Sequence, residues 1–286
     1  MRRRVLLALA CLPLLCPPAA SAEEARTGVL VLAHGGTNKW NGIVRKAVKQ
    51  AKIKAPVEVA LGMGMHRHEA AQFQDAVDRL ERKGVGRIVV IPLLASSHSE
   101  VYRQFEYLLG LRAEAAWPDV KPLRLEVPAV MRPALDADPV VGEILLDRAK
   151  ALSRQPQEET VILLAHGPNE EADNALWLAD MRQLEEGVKS GGGFREVVSL
   201  TLRDDAPKAI QEQATQALRQ AVQKAGEQGR ALVVPLLIAR GGIERKIPER
   251  LAGLSYQFTG QTLLPHPKLT AWIAEQARDV AESGRL

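Results

Sequence analysis

Four of the six histidines in this 286-residue chain fall between residues 34 and 98, each shortly beyond an apolar run. His34 ends VLVLAH and precedes Gly35 and Gly36. His66 and His68 follow VEVALGMG and precede Glu69. His98 follows GRIVVIPLLASS and stands two residues before Glu100. A neutral imidazole can ligate a transition metal or accept a proton near neutral pH, and a nearby carboxylate can relay protons. His66 and His68 would point the same way in an extended segment, as a secondary chelating pair, or stand solvated in a loop. Met63 and Met65 suit either a soft wall for a flat ligand or a gap in a core. Ser97 to Glu100 reads as a capping box with Ser97 as N-cap and Glu100 at N3, so Glu100 is divided between capping and chemistry. His98 would then occupy the first helical position, where the helix dipole disfavours imidazolium. Each histidine also has a plainer reading, a strand-end side chain bonded to backbone; four of them on one rim argue for a site.

Other chemistries lack their residues. His34-Gly35-Gly36 has the look of an esterase oxyanion loop, but no Gly-x-Ser-x-Gly occurs to supply the nucleophile. There is no P-loop, and Gly62-Met63-Gly64 lacks the third glycine of a dinucleotide fingerprint. Phosphohistidine chemistry at His34 would want an arginine beside it, where Ala33 stands.

The elements that must carry these residues occur twice. TGVLVLAHGG (27–36) recurs as TVILLAHGP (160–168), GRIVVIPLL (86–94) as GRALVVPLL (229–237), and DPVVGEILLDRA from Asp138 as HPKLTAWIAEQA from His266. Three landmarks in one order imply an internal duplication, with a period too long for a solenoid. The first half predicts strands over 28–33, 56–61, 87–94 and 123–127, alternating with helices over 38–53, 69–83, 99–112 and 138–153. The second predicts strands near 160–165, 195–201, 230–238 and 261–264, with a helix over 206–226. The strands are apolar on both faces, as buried parallel strands are. The fold class expected is therefore α/β, two similar open parallel-sheet α/β sandwich domains. The first spans 23–153 and the second 154–286, with Ser153 to Glu159 as linker and Lys189 to Gly193 (KSGGG) as a flexible loop. Ligands of such sheets bind at the carboxyl ends of the strands, where His34, His66, His68 and His98 would lie.

Residues 1–22 read as a secretory signal peptide: a basic MRRR, an apolar VLLALACLPLLC too short to span a bilayer, and a small-residue Ala-Ser-Ala. A periplasmic or secreted protein is expected. With Arg2, Arg3 and Arg4 removed, Lys plus Arg falls from 38 to 35 against 34 acids, a net charge of about +1. The sequence pI of 9.1 is then no argument for nucleic acid, and no membrane association is expected after cleavage. Both cysteines, Cys11 and Cys16, lie in the signal, so metal chemistry must use histidine and carboxylate.

The phrases VLVLAHGG, VEVALGMG and GRIVVIPLLASSHSEVY, with the half repeated, resemble the class II tetrapyrrole chelatases, of the sirohydrochlorin cobalto- and ferrochelatase type (CbiX and SirB). The resemblance covers nearly all of the chain after residue 22. It implies two similar α/β halves around a cleft and ATP-independent insertion of cobalt or ferrous iron into a tetrapyrrole. It implies no permanently bound cofactor, the metal ion and the macrocycle being substrates. His34 and His98 take the positions of the family's active-site histidines, as metal ligand and proton acceptor, with Glu100 assisting. Arg67, Arg103 and Met65 would line the macrocycle site. The sequence departs from the family pattern at Gly241, which stands where two-half members tend to carry a second-half counterpart of His98. The first half is therefore expected to do the chemistry. The second would keep His166 and present Arg240 and Arg245 to substrate carboxylates. An alternative is a non-catalytic periplasmic protein that binds a metal or a haem-like tetrapyrrole on the same fold.

Overall fold

The strand TGVLVLA (β1, Thr27–Ala33) has no exposed residue, because it lies between two parallel neighbours and under helices on both faces. The structure, a computed structural model, describes residues 26–282, with side chains through residue 278. The expected signal peptide and both cysteines lie outside the described residues. No helix among the described residues is long and apolar enough to cross a membrane.

The first half comprises β1, α1 (Asn38–Gln50), β2 (Val57–Leu61), α2 (Arg67–Arg82), β3 (Arg87–Leu93), α3 (Glu100–Leu108), β4 (Ala129–Met131) and α4 (Pro139–Leu152). The second comprises β5 (Glu159–Ala165), α5 (Glu171–Gly192), β6 (Glu196–Thr201), α6 (Lys208–Gln228), β7 (Arg230–Leu236), α7 (Ile243–Arg250) and α8 (Pro267–Glu282). All strand pairs are parallel, in the orders β2-β1-β3-β4 and β6-β5-β7. Ala33 is in register with Leu61 and Leu93, and Ala165 with Thr201 and Leu236, so the chemistry-bearing loops leave the sheets at one edge.

Alternation along β1 divides the core. Leu30 and Leu32 join Phe73 of α2 and Phe105 of α3, while Val29, Val31 and Ala33 face a cluster that continues into Val161, Leu163 and Ala165 of β5. One apolar core thus lies between the two sheets, and it is built by exchange. The last helix of the first half, α4, packs on α5 and β7; the last helix of the second, α8, packs on α1, β1 and β3. Asp138 fastens the crossing: one oxygen caps α4 at the Val140 N–H (2.9 Å), and the other accepts from Trp272 Nε1 of α8 (2.8 Å). His266, at the matching Xaa-Pro start, accepts from the Lys268 N–H (3.3 Å) and lies 3.4 Å from Asp147, a structural role.

Three expectations need correction. Residues 123–127 form no strand, because side chains of α2 take their backbone groups: Gln74 bonds both the N–H and the carbonyl of Arg124, and Glu81 accepts from the Glu126 N–H. The ladder is completed by 129–131 instead. Residues 261–264 also form no strand; the edge beside β7 is held by a single bridge at Gln257, and Leu263 and Leu264 donate to Leu237 and Ile238 beyond the strand end. KSGGG is not a loop. α5 runs through Gly192 and stops at Gly193, which is left-handed at φ +66°. Its glycines allow close packing, since a Cβ on Gly191 would sit 2.8 Å from Leu146 Cδ2.

Candidate active site

His34 and His166 leave β1 and β5 in the same local geometry. Each ring places Nδ1 on the carbonyl of the following glycine, at 2.8 Å for Gly35 and 2.7 Å for Gly167. Those glycines adopt φ +77° and +75°. A Cβ on Gly35 would sit 2.9 Å from the Gly62 amide nitrogen, and one on Gly167 2.6 Å from Thr201 Cβ, so only glycine fits. A carbonyl accepts only, so Nδ1 carries the proton and Nε2 offers a lone pair when the ring is neutral.

The two copies then diverge. His34 is exposed, and no protein group engages its Nε2 among the described residues. The Nε2 of His166 is 3.2 Å from Asp205 in the loop after β6. Burial pulls the His166 imidazole down, but the hydrogen bond and charge of Asp205, the Gly167 carbonyl and Asp204 outweigh it and raise it above 6.5. Asp205 is lowered, first by its hydrogen bond to His166 and also by the charge of His34 reaching across from the other half. A raised folded-state pKa stabilises the protein fully below the unfolded value and is lost as pH rises through the folded value. His166 is thus expected to titrate above 6.5 in a histidine NMR titration, and Asp205→Asn to bring it back down.

The SSHS segment is a scaffold in which each serine has a task. Ser97 donates its N–H (2.6 Å) and its hydroxyl (3.1 and 3.0 Å) to Asp136, which is held at φ +44°. The buried Ser96 hydroxyl accepts from the His98 N–H (3.0 Å), and the Ser99 hydroxyl caps α3 at the Tyr102 N–H (3.3 Å). The expected capping box is therefore displaced: Ser97 is taken by Asp136, the N-cap is Ser99, and Glu100 begins the helix. His98 stands outside the helix, two residues before its first position, and Glu100 has no capping duty.

His98 Nε2 lies 3.2 Å from Asp180 Oδ2, a carboxylate of α5 in the other half. That oxygen is buried and has no hydrogen bond of good geometry. Burial raises the Asp180 carboxyl and Asp136 raises it further, against the lowering charge of His98. Seven residues earlier on α5, Asp173 takes both ends of the Arg103 guanidinium at 2.9 and 2.8 Å. Arg103 thus ties α3 to α5 and is not free for a substrate carboxylate, contrary to expectation. Arg67, Arg240 and Arg245 are exposed, and none is held in an ion pair among the described residues.

His66 and His68 do not form an extended chelating pair. The Glu69 carboxylate accepts from the Met65 (3.0 Å) and His66 (3.4 Å) N–H groups, so α2 begins at Arg67 and the rings stack at 5.7 Å and 13°. Met65 is half-buried in that turn. Among the described residues, no three His, Cys, Asp or Glu side chains are placed to hold a metal ion together, so the four histidines do not converge.

The missing second-half histidine has a steric cause. Gly241 packs on Trp40 of α1: a Cβ there would come 2.8 Å from Trp40 Cδ1, and one on Gly36 would meet the same ring at 3.3 Å. The indole occupies the space that a side chain at 241 would need. Glu244 closes the turn by accepting from Gly241 (3.0 Å) and Gly242 (2.9 Å). Gly241→Ala is expected to cost about 1–3 kcal/mol by overpacking, read from the urea midpoint.

Sequence reasoning missed Asp136, Asp180, Asp205 and Trp40: Asp180 and Trp40 reach across the halves to His98 and Gly241, and Asp136 and Asp205 reach Ser97 and His166 from distant loops of the same half. The spacing Asp173, Trp177, Asp180 marks one face of α5, the one signal available for Asp180.

The CbiX family model matches residues 28–152 and again 160–280. The fold is similar to SirB from Bacillus subtilis, solved with Fe3+, at a TM-score of 0.62 and 17% identity over 90% of this chain and 96% of that one. It is also similar to DR2241 from Deinococcus radiodurans, a multi-domain protein with structural similarity to chelatases, at a TM-score of 0.53 and 16% identity over 92% of this chain and 56% of that one. No curated protein matches the chain by sequence. With both halves matched in order, the chain belongs to the CbiX family, one copy in each half.

Proposed function

We propose that this protein is a metal chelatase that inserts a divalent metal, cobalt or ferrous iron, into a tetrapyrrole such as sirohydrochlorin without ATP. The observation that carries the reading is His34. Its tautomer is set by the Gly35 carbonyl, and its Nε2 is left for a ligand at the switch point between the adjacent strands β1 and β3, from which the chain runs on to β2 on one side and to β4 on the other. Family membership and the likeness to SirB support it.

Insertion requires that the metal shed water and that two pyrrole N–H groups lose protons. In this reading His34 Nε2 presents the metal to the ring face, His98 accepts a proton, and Glu100, free of the cap, passes it to solvent. The exposed Arg67, Arg240 and Arg245 meet the substrate carboxylates. The reading includes export, carried by residues 1–22; a mature N-terminus at Glu23 checks it.

The test is an absorbance assay with sirohydrochlorin and Co2+ or Fe2+. Conversion faster than the uncatalysed rate is expected. No acceleration, together with tight binding of metal or macrocycle, would overturn the reading in favour of a binding protein.

A further inference from the structure

We infer that Asp180, supplied by the second half, is the positioning residue for His98: it holds the Nε2–H so that Nδ1 is the atom presented to the metal or the proton. The inference rests on the chelatase reading for the purpose of the site, but its geometry is independent of any macrocycle.

His98 Nε2 faces a single protein group, Asp180 Oδ2 at 3.2 Å, and no hydrogen bond engages its Nδ1 among the described residues. From the other side, Asp180 Oδ2 is buried and faces His98 Nε2 without an aligned hydrogen bond, with the Asp136 charge also near, while Oδ1 accepts from Gln183 Nε2 (3.3 Å). A buried carboxylate oxygen without a donor is costly, and a small rotation of the imidazole would supply one. Hydrogen bonds of catalytic groups are often loose before substrate arrives and tighten in the complex. The surroundings are fixed for that purpose. The Ser96 hydroxyl holds the His98 backbone, Asp136 holds Ser97, and the two-pronged Arg103–Asp173 pair clamps α5 against α3 two turns from Asp180. A histidine whose second nitrogen donates to a carboxylate has its tautomer and ring orientation set and its basicity raised, and loss of such a partner lowers metal affinity or activity about 10–100-fold. The second half, barred by Trp40 from carrying a histidine at Gly241, contributes a carboxylate to the first half's histidine instead.

The test uses Co2+ alone, titrated into the full chain and followed by its visible absorption, for the wild type, Asp180→Asn, Asp180→Glu, His98→Ala and the Asp180→Asn/His98→Ala double variant. Asp180→Asn should weaken Co2+ binding about 10–100-fold, Asp180→Glu should restore most of it, and Asp180→Asn should have no further effect once His98 is gone. An unchanged affinity in Asp180→Asn, or an equal loss in the His98→Ala background, overturns the inference. Long-range 1H–15N correlation on the wild type gives a second reading that needs no variant to fold: a proton on Nε2 of His98 is expected, and a proton on Nδ1 overturns the assignment. Coupling between Asp180 and His98 without metal insertion would sink the chelatase reading and leave Asp180 in place. Insertion without coupling would sink Asp180 alone.

Discussion

His98→Ala is expected to slow metal insertion about 10²–10⁴-fold, the range of a positioned proton acceptor, while His166→Ala keeps most of the activity. In the repeat, His166 is the counterpart of His34, and His98 has only Gly241 at its own equivalent position. Their surroundings differ. His166 has Nδ1 on the Gly167 carbonyl and Nε2 facing Asp205, which holds it toward the protonated form and away from metal ligation. His98 has one nitrogen unengaged among the described residues and sits on a loop held by Ser96, Ser97 and Asp136. Initial rates with sirohydrochlorin and Co2+ for the two variants check the assignment, with thermal unfolding to confirm that both are folded. A collapse of activity in His166→Ala with His98→Ala near wild type would place the chemistry in the other half.

The largest expected loss of stability is at Glu159, about 3–5 kcal/mol for Glu159→Ala, read from the urea midpoint with the slope unchanged. This side chain is fully buried where the first half passes into the second. It accepts from the Ser153 hydroxyl, the Arg154 N–H (2.9 Å), the Gln155 N–H (3.2 Å) and the Arg230 guanidinium. Truncation would leave Arg230 without its counter-ion and three donors without an acceptor at the junction of the halves. Burial pushes the Glu159 carboxyl up, but these donors outweigh it, and the net direction is below 4.5. A depressed folded-state pKa stabilises above the unfolded value and is lost as pH falls through the folded one. The gap between wild type and variant should therefore be full at neutral pH and narrow as the pH drops below 4.5. A gap that persists into strong acid would mean that packing, not the charged network, carries the effect.

The sequence by itself determined what repeats locally. Apolar runs gave the buried parallel strands, the Ala-His-Gly phrase gave the strand-end histidines, and the duplicated order of landmarks gave two α/β halves. These readings rest on side-chain periods and on turn residues that act within a few positions of themselves. They located His34 and His98, and they located Gly241 as the gap in the pattern. Even there, local chemistry was misassigned where a distant partner intervened. Asp136 draws Ser97 away from the cap, α2 side chains take the backbone of 123–127, and Leu146 packs on Gly191 of the KSGGG stretch that looked like a loop.

Only the tertiary structure decided which histidine is free, which is paired, and what faces each. The exchange of α4 and α8 draws the halves onto one core, which brings Asp180 to His98, Asp173 to Arg103, and Trp40 against Gly241. None of these contacts has a sequence period. An aspartate on the polar face of a helix looks the same whether it meets water or an imidazole, and the difference lies in burial and in the position of a chain segment some eighty residues away.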